Sequence, residues 1–144
     1  MISVVVPVRD EERTVEPLYD ELAAALGELG EPWEVVYVDD GSHDATWAVL
    51  QQIAANDPGV GLLRLSRNFG KEAALTAGLD HVGAGAALIL DADGQDPPEL
   101  IPEMLLATRK GIVKKTEISN FANPRTAGII ALGVEDDDAL IEAV

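Results

Sequence analysis

Cysteine is absent from the 144 residues, which excludes a disulfide framework and any thiolate metal site. No apolar run is long enough to cross a bilayer. The run Ile2–Val8 is short and leads directly into charge, so it does not read as a signal peptide. A cytoplasmic location is the expectation. No glycine-rich phosphate loop follows this first run. Gly83-Ala84-Gly85 comes after a helical stretch instead and reads as a helix end, which disfavours the ordinary dinucleotide fold. The two histidines, His43 and His81, stand isolated. Basic residues are scarce: 10 against 26 acidic ones, a net charge of −16. Residues 108–144 are nearly balanced at −1, so the first 107 carry −15. Such a surface repels nucleic acid and anionic membrane unless a basic patch or a metal intervenes.

What is present is enough for one domain. Hydrophobic residues make up 47% of the chain, sufficient for a real core at this length. Four short β-branched or apolar runs read as buried strands: Ser3–Val8, Trp33–Val38, Val60–Leu65 and Ala86–Leu90. Between them lie amphipathic or Ala/Leu-rich stretches. Val15–Leu29 carries apolar residues at Leu18, Leu22, Ala25, Leu26 and Leu29, which are helical intervals. Ala45 to about Ala55 and Glu72–Val82 are the second and third helices, and Asp44 is placed to cap the second. Trp33, Trp47 and Phe69 read as packing residues. Strand and helix in strict alternation predict a parallel α/β sheet, with every strand's carboxyl end on one edge.

Carboxylates collect at that edge. Asp10 and Glu11 follow the first strand, Asp39 and Asp40 the second, Asp91 and Asp93 the fourth. Open α/β sheets bind ligands there. If strands two and four flank strand one, their tips lie about 10 Å apart, within the span of a nucleotide diphosphate. The stretch LILDADGQDPPE offers two carboxylates and the Gln95 amide, a set suited to a hard divalent ion that also takes phosphate oxygens. The Pro pair after Asp96 reads as a helix start. Plainer readings stand beside these. Asp10, Glu11, Asp40 and Asp44 also suit turns and caps, Arg67 suits pairing with the acidic edge, and Lys71 suits a helix surface.

Four blocks in order, SVVVPVRDEE, VVYVDDGSHDAT, LLRLSRNFGKEAALTAGLDHV and ALILDADGQDPPELIPEM, resemble the donor half of a family-2 glycosyltransferase. The nearest branch is the polyprenyl-phosphate, dolichol-phosphate mannose synthase-like enzymes, and the likeness covers roughly residues 1–105. It implies a GT-A-like (Rossmann-like) parallel βαβ half-domain that binds a nucleoside-diphosphate sugar. Pro7, Arg9 and Glu11 would then line the nucleoside pocket, and Asp39 with Asp40 would contact base or ribose. Arg67 and Lys71 would face the phosphates. Asp91, Asp93 and Gln95 would hold Mg²⁺ or Mn²⁺ against the diphosphate, which stabilises the leaving group.

From about residue 105 the rhythm changes. TRKGIVKKT, then NPR, GIIAL and an acidic turn before ALI resemble one blade of the C-terminal β-pinwheel domain of DNA gyrase A. Taken alone, Gly111–Lys115, Gly128–Leu132 and Ala139–Val144 read as short strands of a β-rich C-terminal segment. Two families in one chain imply a chimera, by design, by library recombination or by natural fusion, whose tail covers the open sheet edge or pairs two chains into a homodimer. The resemblance also implies an acceptor-binding half that these blocks do not contain. Donor binding without full transferase turnover is therefore expected. DNA binding, which phosphate neutralisation drives, is opposed by the charge of −16.

Overall fold

A computed structural model describes residues 1–82, 86–93 and 98, together with the strand backbones of 106–108, 112–114 and 140–143. Among the described residues seven strands form one sheet in the order β3-β2-β1-β4-β6-β5-β7. The first four are β1 (Ile2–Val8), β2 (Trp33–Asp39), β3 (Val60–Arg64) and β4 (Ala86–Ile89). They pair in parallel, with β2 and β4 on either side of β1. The helices between them are α1 (Val15–Glu28), α2 (Thr46–Asn56) and α3 (Lys71–His81). All seven elements fall where the alternation predicts them, within a residue or so at each end.

The period of two along β1 explains the unbroken valine run. Val4, Val6 and Val8 join Val35, Tyr37 and Leu88 in a core covered by α1 and α2 through Leu18, Leu22, Leu26, Leu50 and Ile53. Val5, Val36 and Val38 face the other way, against Ala74 of α3. Both faces are covered, so the central strands carry no polar alternation. Helix α3 lies very close to the sheet. A Cβ at Gly78 would come within 2.3 Å of Val5 Cγ1 and 3.0 Å of Val38 Cγ2. Glycine is what lets the helix reach that depth.

Beyond β4 the sheet continues with β6 (Ile112–Lys114), parallel to it, then β5 (Leu106–Thr108) and β7 (Leu140–Ala143), both antiparallel to their neighbours. Strands β6 and β7 lie inside two of the expected tail strands. Strand β5 is not anticipated by the sequence, since Leu106–Thr108 follows a stretch that reads as helical. The expected strand at 128–132, the acidic turn at 136–138 and the helix start at 96–98 lie outside the described residues, apart from Pro98, which is buried.

Candidate functional site

The loops after β1 and β2 are laced to each other at the carboxyl edge. The Asp10 N–H donates to Ser42 Oγ at 2.9 Å, and the His43 N–H donates back to Asp10 Oδ1 at 2.7 Å. The Glu11 N–H donates to Thr46 Oγ1 at 2.8 Å, and the Ala45 N–H donates to Glu12 Oε2 at 2.9 Å. Asp10 holds a left-handed φ of 52°, a conformation that aspartate tolerates better than most residues. Its two hydrogen bonds across the loops fix it there. Asp44 precedes α2 and accepts the Thr46 N–H at 2.9 Å and the Glu12 N–H at 3.2 Å. Burial works to raise its pKa, but these bonds and the Thr46 hydroxyl outweigh it, and the carboxyl is held below its ordinary value.

Asp39 and Asp40 diverge although they are neighbours. Asp39 is fully buried. Its Oδ1 accepts the Ser42 N–H at 3.0 Å, and Arg64 Nε lies 3.1 Å from Oδ2. That second contact is an ion pair without the alignment of a hydrogen bond. The Arg64 guanidinium in turn lies over Trp47, 5.1 Å from the ring centroid. Asp40, only 4% exposed, reaches the loop between β3 and α3 and accepts the Phe69 N–H at 2.7 Å and the Gly70 N–H at 3.0 Å. Gly41 completes the contact. It has φ of 71°, and a Cβ there would stand 2.6 Å from the backbone of Arg67 and Asn68. Three loops are thus locked into one surface.

That surface is one wall of a cavity of about 390 Å³. Pro7, Arg9, Glu11, Asp40, Lys71, Asp91 and Asp93 all line it, with Val8, Asn68, Gly70 and Ala92. Lys71 opens α3, and its Nζ donates to Asp91 Oδ2 at 2.6 Å. Both partners are substantially exposed, at 55% and 36%, so the pair is worth at most about 1 kcal/mol. Among the described residues no three His, Cys, Asp or Glu side chains cluster as a metal site. Two neighbouring carboxylates remain, Asp91 and Asp93, and Asp91 already draws a cation. This donor set suits a divalent ion that takes its other ligands from a bound phosphate or an amide.

The profile of glycosyl transferase family 2 matches residues 3–112. The chain belongs to that family. A bactoprenol glucosyl transferase of Shigella phage SfV is 45% identical over 106 residues, which are 72% of this chain and 34% of that protein. The mannosyltransferase PcManGT from Pyrobaculum calidifontis, solved with GDP-Man and Mn²⁺, superimposes with a TM-score of 0.56 at 29% identity. The match covers 70% of this chain and 30% of that one. S. aureus TarS 1-349 in complex with UDP-GlcNAc gives a TM-score of 0.57 at 26% identity, over 71% and 29% of the two chains. The chain therefore spans about a third of the length of such relatives. The profile runs past residue 105 into β6, and the gyrase-blade and chimera expectations gain no support from it.

In this family-2 glycosyltransferase domain seven of the ten expected site residues share the cavity. Asp39 and Arg67 do not line it. Asp39 points inward, and Arg67 lies over the Phe69 ring, 4.5 Å from its centroid. Gln95 lies outside the described residues. Phe69 corrects the packing expectation: it is 50% exposed, because its backbone is tied to Asp40 on a loop outside the core. Ser42, Thr46, Asn68 and Gly70 help to build the site and are not singled out by the sequence. Their only signal is local, since Ser and Thr beside Asp and Gly mark loops that hydrogen-bond their own backbone.

Proposed function

We propose that the chain binds a nucleoside-diphosphate sugar together with Mg²⁺ or Mn²⁺, as the donor part of a glycosyl transfer. The observation that carries this reading is the single cavity shared by the ends of β1, β2 and β4 and the start of α3. Pro7, Arg9, Glu11 and Asp40 would take the nucleoside, on the wall that the laced loops hold rigid. Lys71 would meet the diphosphate. Asp91 and Asp93, with Gln95, would hold the ion, which when bound offsets charge on the departing nucleoside diphosphate. Asp39 and Arg67 serve from behind: Asp39 holds the turn at Ser42, and Arg67 stacks on the exposed Phe69 ring. The phage relative's name supports a polyprenyl acceptor. Residues 1–105 would form the donor unit, and β5, β6 and β7 would extend its sheet within the same chain, since β6 pairs with β4.

Calorimetric titration of GDP and UDP, with Mn²⁺ and with EDTA, tests the proposal. Binding should be tighter with the metal, and the metal should bind tighter with the nucleotide by the same factor. Asp93→Asn should weaken both without altering the thermal melt. Equal nucleotide affinity in EDTA would remove the metal from the proposal. Transfer of sugar to a polyprenyl phosphate is expected to stay at background for these 144 residues. Catalysis needs the acceptor aligned with the anomeric carbon, and the four recognised blocks supply donor contacts only.

A further inference from the structure

Lys71 stands between two partners. It pairs with Asp91 at 2.6 Å, and it lines the same cavity that Arg9, Glu11 and Asp40 border from the nucleoside side. A divalent ion at Asp91 and Asp93 would need the carboxylate that the ammonium now occupies. Two cations cannot share one exposed carboxylate oxygen without mutual repulsion. We infer that Lys71 is a placeholder cation which competes with the metal for Asp91, and that an arriving diphosphate draws it away. This inference rests on the donor-binding reading and adds to it a source of the coupling between metal and nucleotide.

The geometry favours an exchange of partners over a fixed ion pair. Both side chains are partly exposed, so the pair is weak enough to be broken by a ligand. The lysine stem has four rotatable carbons, and its three donors suit phosphate as well as carboxylate. Lys71 also lies at the first turn of α3, where the helix N-terminus favours an anion beside it. A diphosphate there would meet the ammonium and the helix end together. Once Lys71 turns to it, Asp91 is left to the metal. Nucleotide and metal then assist each other through Lys71 as well as by direct contact.

The test is a set of Mn²⁺ titrations followed by electron paramagnetic resonance, with and without GDP, on the wild type and Lys71→Met. For Mn²⁺ alone, Lys71→Met should bind about two- to five-fold tighter than wild type, the range that corresponds to losing a competing exposed ion pair. For GDP in EDTA, the same variant should bind more weakly. The factor by which GDP enhances Mn²⁺ binding should fall below the wild-type value and stay above one, because direct contact between metal and diphosphate remains. Lys71→Arg keeps the charge and should restore the wild-type order of affinities. Arg13→Met, which removes one exposed positive charge outside the cavity lining, controls for net charge and should leave Mn²⁺ affinity near wild type. Wild type that binds both ligands while Lys71→Met binds Mn²⁺ no tighter would overturn the placeholder role and leave the donor site standing. Wild type that binds neither Mn²⁺ nor GDP would overturn both.

Discussion

Asp40 shows how far one side chain can depart from its sequence reading. Beside Asp39 it looks like half of a paired-carboxylate motif, yet the two have different roles. Asp39 turns inward to Arg64 and the Ser42 amide, whereas Asp40 holds the Phe69 and Gly70 amides and borders the cavity. Asp40→Ala would leave the Phe69 amide without its acceptor and the Gly70 amide with Asn68 Oδ1 alone. The expected cost is about 1–3 kcal/mol, read as a lower denaturation midpoint, with weaker nucleotide binding through the loosened loop. An unchanged midpoint would show that water replaces the carboxylate. Tyr37 is the opposite case. Its ring fills the core, but its buried hydroxyl has no hydrogen-bond partner. Tyr37→Phe should therefore stabilise the fold by about 1 kcal/mol, and a destabilised variant in urea melts would reveal a hidden partner. Neither fact was legible in the sequence, because each depends on which way a side chain turns at the end or the middle of one strand.

At the scale of elements the sequence was far more informative. Hydrophobic period and turn chemistry mark β1 to β4 and α1 to α3 because each element satisfies its own local rule and the packing agrees with it. Strand β5 escaped because three residues carry no period. The depth of α3 escaped for a different reason. Gly78 reads as a weak point in a helix, and only the sheet beneath it explains why a glycine is there. Gly78→Ala should cost about 1–3 kcal/mol by overpacking against Val5 and Val38, measurable by thermal melting. Were the variant as stable as wild type, the helix would have to ride higher than described. Lys71 lies seven residues earlier on the same helix, about 10 Å along its axis, so a lifted α3 should also disturb the Lys71–Asp91 pair.

For the whole molecule, the order β2-β1-β4 brings together loops from residues 8–12, 39–46 and 90–93. The repeated strand–helix alternation foretold this edge, and with it most of the cavity lining. The sequence could not foretell that Arg67 and Asp39 would leave the lining, since that depends on contacts between loops. The alkaline limit of the fold is also a property of the assembled chain. The hydrogen bond to Asp57, then burial, push the Tyr19 hydroxyl up to about 12 from an ordinary 10.0. Burial raises Tyr37 as well. A phenol that holds its proton more tightly when folded adds stability below its unfolded pKa and loses it as pH rises through the folded one. Urea midpoints should thus be flat up to about pH 10 and fall steadily towards pH 12. A flat profile across that window would mean that neither tyrosine titrates differently on unfolding.

The lacing between residues 10–12 and 42–46 has a thermodynamic consequence. Those hydrogen bonds form when the chain folds, so the wall proposed for the nucleoside has little conformational entropy left to lose. The opposite side is joined through the exposed Lys71–Asp91 pair, whose members must change partners as a ligand enters. The ordering penalty of association then falls mainly on the phosphate and metal side of the cavity. A nucleoside fragment should bind with a small entropic loss, and adding the diphosphate and Mn²⁺ should make the entropy term more unfavourable while the enthalpy grows.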